Sequence, residues 1–172
     1  PAARAQVTKV TVRADGPGRP ISHDLFGIFF EDLNYAADGG LYAELVQNRS
    51  FEYSSLARKE WNGLTSWSLL QRDGGRGSVA IATVSALNAN NPHYAVVTVE
   101  NAGAGVGLRN EGFGGIAVKA GEAYDVSLFA RQLDGAVGPI DVRLEGEGGA
   151  LLGETRMPRP TGDWGKLTAT IE

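Results

Sequence analysis

The stretch "YDVSLFARQLDGAVGPIDVRLE", Tyr124 to Glu145, decides the fold class of the chain. Its first seven residues place Tyr124, Val126 and Leu128 on one face of an extended backbone, and its last six alternate apolar with charged side chains. A period of two is the pattern of a β-strand with one face buried and the other in water. The glycines between the two runs favour turns. The stretch therefore predicts two antiparallel strands of a half-buried sheet.

The same kind of pattern recurs over the whole chain after about Trp61. Further runs that alternate or are rich in β-branched residues are Ser78–Val84, Tyr94–Val99 and Lys166–Glu172. The 24 glycines and 7 prolines supply the turns between them. Residues 61–172 are thus predicted to form a jelly-roll-like antiparallel β-sandwich. Because the last run reaches Glu172 with no turn after it, we expect the sandwich to be truncated and the sequence to be part of a longer protein.

The first 60 residues have a different pattern. Val7–Ala14 alternates as a strand and leads into a turn, so residues 1–20 are predicted to be an N-terminal strand and turn. Leu25–Phe30 is a continuous apolar run, typical of a strand buried on both faces. Leu41–Asn48 carries an apolar stripe at helical spacing and predicts a helix. Strand, loop and helix in this order predict one β/α unit over residues 21–60.

Composition excludes several classes of function. The 172 residues include no cysteine, which excludes thiol catalysis, disulfides and cysteine-ligated metals. His23 and His93 are far apart and lack metal-ligand spacing, so no metal site is predicted. A formal net charge of −4 without a basic patch argues against nucleic acid or an anionic membrane as a partner. No apolar run approaches the roughly 20 residues that span a bilayer.

The start of the chain bears on localisation. It lacks a methionine, and Ala3-Arg4-Ala5 fits the small-x-small end of a secretory signal. The alternative is a chain start that has nothing to do with processing. The first interpretation predicts a secreted, extracellular or periplasmic protein.

Three short motifs are candidates for a chemical role. Glu31 and Asp32 follow the apolar run, and a carboxylate there lies either on the active-site rim of a barrel or at the surface end of a strand. Gly112–Ala117 formally fits the dinucleotide fingerprint but is followed by a strand where that fingerprint needs a helix, so no cofactor is predicted. Asn48-Arg49-Ser50 is a glycosylation sequon beside a predicted buried phenylalanine, and we predict that it carries no glycan.

The segment "FGIFFEDLNYAADGGLYAELVQNRSFE", Phe26 to Glu52, resembles the N-terminal signature of the α-L-arabinofuranosidases of glycoside hydrolase family 51 nearly residue for residue. Downstream, "NPHYAVVTV", "GLRNEGFGGIAV" and "YDVSLFAR" are similar to the carbohydrate-binding-type sandwich inserted early in the larger members. The resemblance covers about Val7 to Glu172. It implies a retaining hydrolase that removes terminal arabinofuranosyl groups from arabinoxylan and arabinan, with catalysis in a (β/α)8 barrel.

The resemblance also implies roles for single residues. Glu31 would lie at the C-terminal end of the first barrel strand and hydrogen-bond the arabinose hydroxyls, as a substrate-binding residue. The family's acid/base glutamate follows an asparagine, and Asn110-Glu111 has that order. This pair sits among turn glycines, however, and is predicted to be a loop at a sheet rim. The family's nucleophile region has no counterpart, so no catalytic residue is expected in this chain.

The implied partners are an arabinose-containing polysaccharide or oligosaccharide and the remainder of the catalytic barrel, in the same protein or in a companion chain. Without that remainder, the run Leu25–Phe30 has no neighbouring strands. We expect it to be covered by a companion chain or by self-association, or else to be disordered.

Two alternatives remain, a free-standing carbohydrate-binding module and a purely structural sandwich. The apolar run argues against the first, since a free-standing module has no use for a strand that is apolar on both faces. The large aromatic residues that could stack on sugar are Trp61, Trp67, Trp164, Tyr94 and Phe113. Aromatic residues on a sandwich usually belong to its core, and we predict that one of these five contacts carbohydrate.

Overall fold

The structure, a computed structural model, describes residues 9–13, 15–16 and 18–172. Strands form only in the second part of the chain. They are β1 (Trp67–Arg72), β2 (Arg76–Ala82), β3 (Tyr94–Asn101), β4 (Gly105–Asn110), β5 (Tyr124–Ala130), β6 (Ile140–Glu145), β7 (Leu151–Met157) and β8 (Gly165–Ile171). Short 3-10 turns lie at His23–Leu25 and Glu147–Gly149, and the described residues contain no α-helix.

All strand pairing is antiparallel and forms four two-stranded sheets, β1–β4, β2–β3, β5–β8 and β6–β7. The hairpin β2–β3 lies in sequence between the strands of the β1–β4 pair, and β6–β7 lies likewise between β5 and β8. The same nested arrangement of two antiparallel pairs thus occurs twice along the chain. The prediction of a mainly β, antiparallel fold is confirmed, and β5 and β6 have the predicted bounds.

Alternation makes one face of β2, β5, β6 and β8 less exposed than the other. In β5 the even-numbered residues are the less exposed ones, and Val126 pairs in register with Ala169 of β8 on the same face. Among the described residues, Met157 and Ile171 are buried large apolar side chains, with 0% and 4% of their surface exposed. β7 packs closely on β8 at Gly153, where an added Cβ would lie 2.6 Å from a methyl of Ile171. A glycine is needed there because only its backbone permits that approach.

The strand expected at Leu25–Phe30 is absent, which corrects the sequence-based interpretation. The segment is exposed throughout, with Phe29 90% exposed, and it pairs with no strand among the described residues. Strands are held by hydrogen bonds to neighbours, and no other described segment runs beside this one. Residues 9–13 of the expected strand Val7–Ala14 also form no strand. Val7, Thr8, Ala14 and the signal-like Ala3–Ala5 lie outside the described residues.

The helix expected at Leu41–Asn48 is also absent, so the β/α unit over residues 21–60 does not form in the described chain. Backbone groups that a helix would use are bonded elsewhere. The Gln47 amide donates to Asn110 Oδ1 at 3.2 Å, and the Val46 amide donates to Glu44 Oε1 at 2.9 Å. Asn48 has a φ of 53°, which ends any right-handed helix. Non-helical local bonds and the long-range bond to Asn110 thus replace the helical ones.

None of the helices found among the described residues has the length and apolar character needed to cross a membrane.

Candidate functional site

Glu31 lies on the exposed segment that follows Phe30. Within the part of the chain that the structure describes, no hydrogen bond or ion pair reaches its carboxylate. Its neighbour Asp32 has a structural role, because its Oδ1 accepts a hydrogen bond of 2.9 Å from the Ala37 amide and closes the turn. Of this acidic pair, Asp32 thus takes part in a turn, whereas the Glu31 carboxylate contacts no hydrogen-bonding partner among the described residues.

Asn110, at the end of β4, binds the backbone of Gln47 and so links the N-terminal segment to the sandwich. Its Oδ1 accepts from the Gln47 amide, and its Nδ2 donates to the Gln47 carbonyl at 2.9 Å. The same Oδ1 accepts from the Gly112 amide at 2.9 Å, and Ser66 Oγ donates to Gln47 Oε1 at 2.7 Å. Asn110 thus has a structural role, although it is the last residue of β4 and not part of a turn.

Asn48 also links the N-terminal segment to the rest of the fold, and its side chain is buried, with 2% of its surface exposed. Its Nδ2 donates to the carbonyls of Gly63 and Thr65 at 3.0 and 2.9 Å, and its Oδ1 accepts from the Tyr53 amide at 3.1 Å. The Asn48 carbonyl accepts from Trp67 Nε1 at 2.9 Å. Both Nδ2 hydrogens are used in a buried position, which leaves no access for a glycan.

A row of packed aromatic and arginine side chains connects Tyr35, four residues after Glu31, with residues of the second part of the chain. Tyr53 and Trp61 are stacked with centroids 4.0 Å apart and planes 13° apart. The Arg58 guanidinium lies 4.6 Å from the Trp61 ring centroid and 5.9 Å from that of Tyr35. Tyr35 in turn packs edge-on against Phe113 at 5.2 Å. Cation–π and aromatic contacts of this kind orient the rings they join.

A cleft of about 310 Å³ opens beside this row of side chains. It is lined by Phe51, Glu52, Tyr53, Ser54, Ser55, Trp61, Asn62, Gly63, Ile81 and His93. Glu52 Oε2 lies 2.5 Å from His93 Nδ1, and Glu52 Oε1 accepts from the His93 amide at 3.0 Å. In the described chain no serine hydroxyl donates to His93, so the pair is not completed to a nucleophilic triad.

Burial raises the pKa of the Tyr53 phenol above its ordinary value of 10.0. The negative charges of Asp38 and Asp32 and the neighbouring Tyr35 raise it further, while a hydrogen bond with Gln47 lowers it. Neutral Tyr53 is therefore favoured in the fold.

We expect a spectrophotometric titration of the folded chain to include the ionisation of a phenol with a midpoint above that of unfolded tyrosine. This ionisation should be missing in Tyr53→Phe. Since the folded pKa is the higher one, the stability contributed by neutral Tyr53 is present below pH 10 and is lost as the pH rises through the folded pKa. The same titration in denaturant is the control. A midpoint for Tyr53 at or below the denatured value contradicts the expectation.

The remaining aromatic candidates are used in internal contacts. Trp67 packs on Phe51 at 5.1 Å and donates to the Asn48 carbonyl. Trp164 packs edge-on against Tyr94 at 5.2 Å, and the Arg131 guanidinium lies over both rings at 5.0 and 5.5 Å. The Tyr53–Trp61 pair is the aromatic pair that borders the cleft.

Sequence reasoning missed the residues that hold this region together, namely Gln47, Asn48, Arg58 and Arg131. Their partners lie up to 63 residues away, so no local pattern marks them. The described residues include no cluster of three or more histidine, aspartate or glutamate side chains arranged to hold a metal ion.

Comparison with known proteins identifies relatives. No family model matches the chain. An extracellular exo-α-L-arabinofuranosidase from Streptomyces chartreusis is 40% identical over 163 residues, covering 94% of this chain and 18% of that protein. α-L-Arabinofuranosidase 1 from Arabidopsis thaliana is 36% identical over 144 residues, covering 78% of this chain and 20% of that protein. The chain thus spans about a fifth of the length of the curated relatives it matches.

A solved structure agrees. The structure of an arabinose-bound α-L-arabinofuranosidase designated MgGH51 aligns with a TM-score of 0.67 at 30% identity, over 83% of this chain and 23% of that one. The resemblance visible in the sequence is confirmed, and the chain is homologous over most of its length to one part of the glycoside hydrolase family 51 α-L-arabinofuranosidases.

Proposed function

We propose that the chain is the N-terminal portion of a retaining α-L-arabinofuranosidase, which hydrolyses terminal non-reducing arabinofuranosyl residues of arabinoxylan and arabinan. The observation that carries the proposal is the 40% identity to the Streptomyces enzyme over 94% of the chain. The arabinose bound in the MgGH51 structure supports the choice of sugar. Because the Streptomyces relative is extracellular, we also propose that this protein is secreted.

The two parts of the chain have different roles in such an enzyme. Residues 61–172 are the accessory sandwich, and residues 21–60 are the first β/α unit of the barrel, which forms when the other barrel strands are present. The exposed run Leu25–Phe30 supports this assignment. Contiguous apolar patches of several hundred Å² are unusual on soluble monomers, and an unpaired backbone favours pairing with another strand. The partners are therefore the remainder of the barrel and an arabinose-containing glycan.

Within such an enzyme Glu31 binds substrate and does not perform the chemistry. A carboxylate with no protein partner offers both oxygens to sugar hydroxyls, and charge-assisted bonds of this type are the stronger ones. The acid/base and the nucleophile are supplied from outside this chain.

The test is Glu31→Ala in a complete arabinofuranosidase that carries this segment. Loss of a hydrogen bond to a charged group, worth roughly 1.5–3 kcal/mol, should lower kcat/KM by about one to two orders of magnitude. Glu111→Ala is the matched control, since Glu111 is also exposed and follows the end of β4. Wild-type kcat/KM in Glu31→Ala would remove the proposed role of Glu31.

A second candidate function, carbohydrate binding without catalysis, is favoured by one observation, the aromatic cleft beside Trp61. Hydrogen exchange distinguishes the two candidates. Protection at Leu25–Phe30 that arises only when the rest of a barrel is supplied supports the enzyme, and absence of such protection supports the free-standing module.

A further inference from the structure

We propose that Phe113, in the glycine-rich loop after β4, is a positioning residue for Glu31. It acts through the connecting loop, residues 32–40, which lies between the proposed barrel strand and the proposed helix. The Phe113 ring contacts this loop at Tyr35 and Gly39. That Glu31 binds a sugar rests on the proposed function, whereas the contacts of Phe113 are features of the fold.

The Phe113 ring lies directly against the backbone of Gly39. A Cβ added at Gly39 would lie 2.8 Å from Cδ2 and 2.9 Å from Cε2 of Phe113, which is too close for non-bonded carbon atoms. Gly39 also has a φ of 91°, an angle that residues with a side chain rarely adopt. The ring therefore occupies the space that a side chain at position 39 would fill.

The same ring contacts Tyr35, four residues after Glu31. The two rings pack edge-on, with centroids 5.2 Å apart and planes 62° apart. Asn34 and Tyr35 have φ values of 54° and 61°, so two consecutive residues with side chains adopt the left-handed conformation. Such a backbone is unfavourable and persists where surrounding contacts enforce it. The Phe113 ring supplies one of these contacts.

A hydrogen bond connects the held part of the loop to the neighbour of Glu31. Asp32 Oδ1 accepts from the Ala37 amide at 2.9 Å, which closes a turn that contains Tyr35. Because Asp32 is adjacent to Glu31, a shift of this turn also shifts the Glu31 carboxylate. Misplacing a substrate-positioning group by about 1 Å can lower a rate by about 100-fold.

The loop that carries Phe113 is itself fixed to the end of β4. The Gly112 amide donates to Asn110 Oδ1 at 2.9 Å, and the Gly115 amide donates to the Glu111 carbonyl at 2.9 Å. These glycines belong to the motif that formally fits a dinucleotide fingerprint. Their role in the fold is to present an aromatic ring to the connecting loop, so the sandwich takes part in substrate binding without contacting the substrate.

The experiment is a double-mutant cycle in a complete arabinofuranosidase that carries this chain, assayed with an aryl α-L-arabinofuranoside. Phe113→Leu removes the ring but keeps an apolar side chain, and it should lower kcat/KM by about tenfold and by no more than Glu31→Ala does. In the Glu31→Ala background the same change should lower kcat/KM by less than about twofold, because no carboxylate is left to position. A merely structural role of Phe113 predicts equal factors in both backgrounds.

Phe129→Leu is the matched control. Phe129 is a half-exposed phenylalanine of β5 that takes no part in these contacts, and its replacement should leave kcat/KM unchanged. If Phe113→Leu does not fold, as judged by circular dichroism, Tyr35→Leu removes the partner ring and is tested in the same cycle. Loss of folding in both variants would assign the two rings a structural role and overturn the proposal.

The remaining outcomes separate this inference from the proposed function. If Glu31→Ala is impaired, then equal factors in the two backgrounds, or wild-type kcat/KM in Phe113→Leu, overturn the positioning role alone. Wild-type kcat/KM in Glu31→Ala removes the substrate-binding role of Glu31, and the positioning role of Phe113 with it.

Discussion

Replacing Asn48 with alanine should lower the free energy of unfolding by at least about 3 kcal/mol. The side chain is 2% exposed and makes three hydrogen bonds, to the Gly63 and Thr65 carbonyls and from the Tyr53 amide. Its removal leaves these backbone groups without a partner, at roughly 1–3 kcal/mol for each buried group. Alanine also tolerates a φ of 53° less well than asparagine, which adds about 1 kcal/mol.

The measurement is urea unfolding, with variants that separate the two contributions. Asn34 has a φ of 54° and is exposed, so Asn34→Ala reports the backbone contribution alone. Asn48→Gly accepts the positive φ but loses the same hydrogen bonds, and it should fall between the other two. Asn48→Asp keeps an acceptor for the Tyr53 amide but places a carboxylate against two carbonyl oxygens, and should be as damaging as alanine. If Asn48→Ala lowers the free energy of unfolding no more than Asn34→Ala does, the hydrogen bonds of the Asn48 side chain are not important for stability.

The second large effect concerns activity. The 172-residue chain should not hydrolyse an aryl α-L-arabinofuranoside above the buffer rate. Retaining hydrolysis requires two carboxyl groups ~5–5.5 Å apart, one acting as acid/base and the other as nucleophile. Asp32 is bonded to the Ala37 amide, and Glu111 is an exposed residue next to the structural Asn110. The family's nucleophile region has no counterpart in this chain, and neither residue is expected to complete such a pair with Glu31. Since enzymes accelerate reactions by roughly 10⁶-fold or more, absence of the pair is easily detected.

Release of the aryl alcohol, compared with buffer and with a complete family 51 enzyme, is the measurement. Contamination by a host glycosidase is the main source of error, so the chain should be assayed over a range of concentrations and after a second purification. Turnover that scales with chain concentration and survives this treatment contradicts the expectation. Glu31→Ala and Glu111→Ala would then identify the carboxylate responsible.

Agreement between sequence and structure is best where the pattern is local. In β5 and β6 the alternation of apolar and polar residues marks the strands residue by residue, because one face is buried and the other is in water. Glycine misled the interpretation elsewhere. The glycines around Asn110 suggested a turn, yet Gly105 and Gly107 lie within β4 and Asn110 is its last residue. Gly153 in β7 likewise lies within a strand, at a place where two strands approach closely.

For this protein the sequence by itself determined the antiparallel β class and the resemblance to family 51 α-L-arabinofuranosidases, and that resemblance made Glu31 a candidate ligand-binding residue. These depend on periodicity and on a continuous motif, both of which are local. Only the tertiary structure decided that Leu41–Asn48 is not a helix and that Trp61 borders a cleft. It also decided that the side chains of Asn48 and Asn110 hold distant segments together by hydrogen bonds. The physical reason is that the competing hydrogen bonds come from residues up to 63 positions away, and a backbone amide such as that of Gln47 takes the partner that the folded chain brings to it.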